Sequence, residues 1–167
     1  MIFVDRNAYN QGGRKWTPMR HFPLWKHFRD YFPIKLVKTA EIDPKHNYIF
    51  SVHPHGIICY GIFGNFATEA NRFSKLFPGL RSRLLTLQEQ FLMPFHRELI
   101  LWMGICSATR PSMDWLLSKE GKGNALVLIP GGAIEALDAI PGKFDITLEN
   151  RKGNAIYQML NVIDEII

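Results

Sequence analysis

Apolar positions along the chain follow two periods, and the switches between them outline the elements. Leu24, Trp25, Phe28, Tyr31 and Phe32 recur at helical spacing, with Lys26, His27, Arg29 and Asp30 on the other face. Pro23 suits the first turn of that helix and Pro33 ends it. Tyr48-Ile49-Phe50-Ser51-Val52 is a β-rich run that stops at His53-Pro54-His55-Gly56. Ile62, Phe63, Phe66, Ala67, Ala70, Phe73 and Phe77 then predict one long helix ended by Pro78-Gly79, with Glu69, Asn71, Arg72 and Lys75 opposite. A strand follows at Leu84-Leu85-Thr86-Leu87, a helix from Phe95 to Met103 closed by Gly104, and a short strand from Ile105 to Ala108. Ser112 is expected to cap a helix running through Lys119 and closed by Gly121. Ala125-Leu126-Val127-Leu128-Ile129 has the continuous apolar character of a strand buried on both faces, and it stops at Pro130-Gly131-Gly132. Asn154 to Ile167 carries Ala155, Ile156, Met159, Leu160, Ile163 and Ile167 on one helical face.

Strands alternating with helices predict an α/β fold, a partial and mostly parallel sheet flanked by helices. Ligands of such sheets gather beyond the carboxyl ends of the strands. The His-Pro-His-Gly turn and the run Pro130-Gly131-Gly132-Ala133-Ile134-Glu135 both fall at such ends. The 167 residues, 47% hydrophobic and 21% charged, are enough for one core, which excludes disorder, collagen and coiled coil as descriptions of the whole.

Charge divides the chain more sharply than composition does. Residues 1–38 carry a net +6 and the remainder −1. The basic part also holds Trp16, Phe22, Trp25, Phe28, Tyr31 and Phe32. Cations interleaved with rings suit a lipid headgroup region or single-stranded nucleic acid; equally, they suit a solvated face over a core helix. The expected organisation is a basic aromatic membrane-surface segment over 1–38, a main domain over 39–153 and a carboxyl-terminal helix over 154–167. No apolar stretch reaches the ~18–20 residues of a bilayer span, and no apolar run follows Met1-Ile2-Phe3-Val4 as a signal peptide requires, so the chain as written is expected not to cross a membrane. Cys59 and Cys106 lie far apart outside any CxxC, which predicts a reduced compartment or cytosolic face and no cysteine-based zinc site.

A histidine held by proline at a strand end is a good general base, because its pKa lies near working pH. It could take the proton of an alcohol attacking an activated acyl group. N–H groups around Gly56, Gly131 and Gly132 could steady the oxyanion, and Glu135 could orient the imidazole or a substrate hydroxyl. Three other readings stand beside it. The histidines could be plain turn residues. His53 and His55 have a metal-ligand spacing, with Glu135 or Cys59 as the third ligand required. Pro-Gly-Gly could be only a loop; as a phosphate loop it lacks a following Lys-Ser/Thr.

Tyr31-Phe32-Pro33, His53-Pro54-His55-Gly56, Phe77-Pro78-Gly79, Gly131-Gly132-Ala133-Ile134-Glu135 with Leu137, and Arg151-Lys152-Gly153 occur in the order seen in the type-2 diacylglycerol acyltransferase family, which the chain resembles up to Gly153. That family includes monoacylglycerol and wax alcohol acyltransferases. The resemblance implies a glycerolipid-acyltransferase-like fold and acyl transfer to the hydroxyl of monoacylglycerol, diacylglycerol or a long-chain alcohol at the cytosolic face of the endoplasmic reticulum membrane. Acyl-CoA would be the co-substrate, with no metal, no bound cofactor and no nucleic-acid partner. His55 is then the expected base and His53 its support, although the motif does not separate their roles. The carboxylate of the related His-x4-Asp motif is absent, Ile58 and Tyr60 standing at the two positions, so Glu135 is the expected substitute. The family's apolar hairpin before the basic segment and its Phe after Arg151-Lys152-Gly153 have no counterpart here. The resemblance therefore also predicts a truncated product with an exposed sheet edge. Such a product could be a catalytically inactive, lipid-associated protein or a partner of a full-length relative.

Overall fold

The computed structural model describes residues 5–53 and 58–131. Four strands, β1 (Tyr48–Ser51), β2 (Arg81–Thr86), β3 (Cys106–Ser107) and β4 (Asn124–Leu128), form one sheet in the order β1-β4-β2-β3. Every pairing is parallel: β1 with β4, β4 with β2, and β2 with β3. The expected α/β fold with a parallel sheet is therefore what the chain adopts. β4 is central, and all five of its residues are buried, as its unbroken apolar sequence requires.

The helices are α1 (Thr17–Arg20), α2 (Leu24–Tyr31), α3 (Tyr60–Ile62), α4 (Phe73–Leu76), α5 (His96–Trp102) and α6 (Arg110–Ser118). The two faces of the sheet bury separate clusters. Phe50, Val127 and Ala125 meet Phe66, Phe73, Phe77 and Leu101 on one side. Ile49, Leu126 and Leu128 meet Met113, Leu116 and Cys106 on the other. Alternation along β1 and β4 sends successive side chains to opposite faces.

Two expectations are corrected. The single helix foreseen over Ile62–Phe77 is broken. α3 runs into a π turn at Phe63–Ala67, Thr68 turns extended (φ −120°, ψ 172°), and α4 starts afresh at Phe73. The cause is competition for carbonyls. The Thr68 hydroxyl donates to the Gly64 carbonyl at 2.5 Å, and the Arg20 guanidinium donates to the Phe66 carbonyl at 2.9 Å. Those acceptors are then occupied by side chains. Second, Thr109, not Ser112, precedes α6; Ser112 lies inside the helix and donates to the Tyr9 carbonyl at 3.4 Å. The helix foreseen over 154–167 lies outside the described residues.

The basic amino-terminal stretch is sewn to the sheet. The Arg14 and Trp16 amides donate to the carbonyls of Leu101 (3.1 Å) and Trp102 (2.7 Å). Arg20 is 1% exposed and donates to the Met103 carbonyl (3.0 Å), the Phe66 carbonyl and the Ser82 hydroxyl (2.7 Å), with Glu69 at 3.5 Å. Burial pulls its guanidinium down to about 10, against the opposing pull of Glu69, so it stays charged at neutral pH.

Candidate active site at the carboxyl ends of β1 and β4

β1 and β4 are neighbours in parallel register, Tyr48 opposite Ala125 through Ser51 opposite Leu128. The Val52 amide extends the ladder by donating to the Leu128 carbonyl at 2.9 Å. His53 leaves β1 at that point, and Pro130-Gly131 leaves β4 one residue after Ile129. The two motifs therefore depart from adjacent strands at the same end of the sheet, the end where parallel α/β folds gather ligands. His53 is exposed, and its Nε2 lies 3.4 Å from the Ser51 hydroxyl. Pro130 and Gly131 are buried. His55, Gly56, Gly132 and Glu135 lie outside the described residues.

The chain re-enters after the His motif under an aromatic shelf. Cys59 takes a left-handed backbone (φ 51°) ahead of α3. Tyr60 then packs edge-on to Phe28 (5.5 Å) and against Phe32 (4.4 Å), while Phe63 meets Trp25 (5.5 Å) and Phe28 (5.8 Å). The rings of Trp25, Phe28 and Phe32 thus wall the segment that carries Tyr60 and Phe63. Gly64 makes room for Ile34 beside these rings: a Cβ there would stand 3.0 Å from Ile34 Cδ1. Asn65 donates to the Lys35 carbonyl at 3.1 Å, and Asn71 to the Ile34 carbonyl at 3.0 Å and to Asn65 Oδ1 at 2.6 Å, which fixes the strap after α2. Periodicity marks the stripe as an apolar face, but only the tertiary structure pairs Phe28 and Phe32 with Tyr60. The signal available in sequence was Tyr60 itself, a ring just after a strand-end motif.

Ile58 and Tyr60 leave apolar surface exposed beside the site, and Tyr31 stands edge-on to Phe32 at 4.8 Å. Burial raises the Cys59 thiol pKa above its ordinary value, so this cysteine is a neutral, half-buried group. Among the described residues, no three His, Cys, Asp or Glu side chains come together as a metal cluster.

The described part of the site is thus His53 and Pro130-Gly131, leaving neighbouring parallel strands at their carboxyl ends. The family model for diacylglycerol acyltransferase matches residues 1–161. Over 152 residues, 91% of this chain, it is 49% identical to diacylglycerol O-acyltransferase 2 of Danio rerio, covering 42% of that protein. It is 47% identical to 2-acylglycerol O-acyltransferase 3 of Homo sapiens, covering 45% of it. It is 49% identical to acyl-CoA wax alcohol acyltransferase 2 of Homo sapiens, covering 46%. No solved structure matches. The chain belongs to the diacylglycerol acyltransferase family, and it spans less than half the length of these relatives.

Proposed function

We propose that this chain transfers a fatty acyl group from acyl-CoA to the hydroxyl of monoacylglycerol, diacylglycerol or a long-chain alcohol, in neutral lipid synthesis at the cytosolic face of the endoplasmic reticulum membrane. The observation that carries the reading is the departure of both motifs from neighbouring strands at one end of the sheet. His55 takes the proton of the acceptor hydroxyl, with His53 in support. The freed oxygen attacks the thioester carbonyl, the carbon–sulfur bond breaks, and coenzyme A leaves as the thiol with the proton that histidine returns. N–H groups at Gly56, Gly131 and Gly132 hold the tetrahedral oxyanion, and Glu135 orients the base. The chemistry asks for no metal and no bound cofactor. The exposed apolar surface at Ile58 and Tyr60 suits a chain-bearing acceptor.

The test is acyl transfer by the purified chain, with labelled acyl-CoA and each acceptor class in detergent micelles. Product is expected, and His55→Ala is expected to lower kcat by roughly 10²–10⁴-fold at unchanged thermal stability. A folded chain that forms no product favours the alternative, a catalytically inactive, lipid-associated or partner-binding protein. Activity that survives His55→Ala refutes the base assignment.

A further inference from the structure

α5 is apolar on both faces and buries an arginine. Its inward face buries Arg97 with Ile100 and Leu101, the Arg97 guanidinium being held by Glu98 and the Asp5 carbonyl. Its outward face, extended by the preceding turn, carries Leu92 (74% exposed), Phe95 (89%), Leu99 and Trp102 at a spacing of three, four and three residues. Leu99 and Trp102 lie one turn apart on α5, and Leu92 and Phe95 stand exposed in the non-helical turn just ahead of it, so the four form one apolar stripe at the start and outer side of the helix. Met93 stands exposed beside it. The stripe is also presented at a cost. Phe95 has φ 63° and ψ −53°, and the His96 amide donates to the Pro94 carbonyl at 2.7 Å, a tight three-residue turn that L-residues rarely adopt. A strained turn that pushes a phenylalanine into water is unfavourable twice over unless something covers the ring.

Its flank says what that is. The Trp16 ring meets Trp102 edge-on at 5.8 Å, joining the stripe to residues 14–29, which contain five Lys or Arg and no carboxylate. Lys15, His21, Lys26 and His27 are exposed there. Near the stripe, Glu98 is neutralised by Arg14 and Arg97, and Glu89 is exposed. Tryptophans between an apolar stripe and a basic run match the layering of an anionic membrane surface. A second copy fits poorly, since a two-fold contact through the stripe sets the same patch against itself and brings the basic runs together. No helix among the described residues is long and apolar enough to span a bilayer, so the stripe would lie in the interfacial plane.

We infer that Leu92, Phe95, Leu99 and Trp102, with Trp16 and the exposed Lys15 and Lys26 of the same segment, form the surface by which the folded domain sits on an anionic bilayer. The inference deepens the acyltransferase reading, whose acceptor is a lipid, and it adds a docking surface on α5 outside the 1–38 segment. Co-sedimentation of the full 167-residue chain with phosphatidylcholine vesicles, with and without phosphatidylserine, tests it. Leu92→Ser/Phe95→Ser/Leu99→Ser is expected to weaken partitioning on the order of a hundredfold, from the lost apolar transfer, without lowering the melting temperature. Lys15→Gln/Lys26→Gln should remove much of the phosphatidylserine dependence and leave the phosphatidylcholine component. Quenching of tryptophan by brominated lipid should fall in Trp16→Phe/Trp102→Phe, a readout that needs no loss of binding. A triple-serine variant that binds as wild type, or a wild-type chain that ignores vesicles and elutes as a dimer, overturns the proposal. Acyl transfer in micelles separates the two readings: a chain that docks through the stripe yet transfers no acyl group overturns only the acyltransferase assignment.

Discussion

Arg20 shows how far a single side chain can depart from its local pattern. It lies among eight Lys and Arg of residues 1–38 and has nothing local to distinguish it. Its partners, Phe66, Ser82 and Met103, are 46, 62 and 83 positions away, and such separations leave no periodic trace. The structure turns it into a pin through α1, the end of the π turn, β2 and the loop after α5. Truncating it strips two carbonyls and the Ser82 hydroxyl of a donor and leaves Glu69 buried without its cation. Arg20→Ala is therefore expected to destabilise the chain by about 3–5 kcal/mol, the usual range for breaking a buried pair. Urea denaturation checks this. Arg20→Lys should recover only part of the loss, because one ammonium cannot reproduce the guanidinium's fork of donors. Burial also pushes the Cys106 thiol up to about 12, which leaves it an inert core group rather than a nucleophile.

Elements whose information is local were legible in the sequence. β4 follows from five consecutive apolar residues, α2 from its aromatic stripe between Pro23 and Pro33, and the end of α6 from Gly121, which adopts φ 96°. The carboxyl-end location of the His53 and Gly131 motifs followed from the strands they terminate. What the pattern could not convey is the break at Thr68, where helical spacing continues through Ala70 and Phe73 while the carbonyls are taken by Thr68 and Arg20. Nor could it convey that the α5 stripe faces outward, since periodicity defines a face but not its neighbour. Glycines separate the two kinds of information cleanly. A Cβ on Gly123 would stand 2.6 Å from the Gly79 carbonyl and 3.2 Å from the Pro44 carbonyl, on a backbone with φ +81°. Gly123→Ala is expected to cost at least about 1–3 kcal/mol, because backbone must move to admit the methyl. Gly61, inside α3, has open space at the same position, and Gly61→Ala should gain about 0.5–1 kcal/mol. Thermal melts of the two variants should shift in opposite directions.

The molecule as a whole is held together across its sheet by an amino-terminal strap rather than by strands alone. Asp5, Arg14, Glu98 and Arg97 form a chain of charge: Arg14 pairs with Asp5 at 3.0 Å and with Glu98, and Glu98 pairs with Arg97 at 2.7 Å. On the strap's other side, Arg83 donates to the Gly12 carbonyl at 2.9 Å and pairs with Glu120. The strap thereby joins α5, β2 and the end of α6, and it carries Trp16 to the outward stripe. Desolvation raises the Glu98 carboxyl pKa, but hydrogen bonds from Arg97 and Arg14 and their charge outweigh it and leave the pKa below 4.5. The unfolded chain then takes up the Glu98 proton more readily than the folded one. The stabilisation from this carboxylate is full above its unfolded value and is lost as pH falls through its folded value. Melting temperature should fall on acidification below about pH 4.5, and Glu98→Gln should flatten that part of the profile while lowering stability at pH 7. Limited proteolysis locates the effect: if the network secures the strap, cleavage between Asp5 and Arg20 should accelerate in Glu98→Gln before cleavage elsewhere. Uniform acceleration along the chain would mean that Glu98 stabilises the domain generally and that the strap is held by its backbone contacts to Leu101 and Trp102.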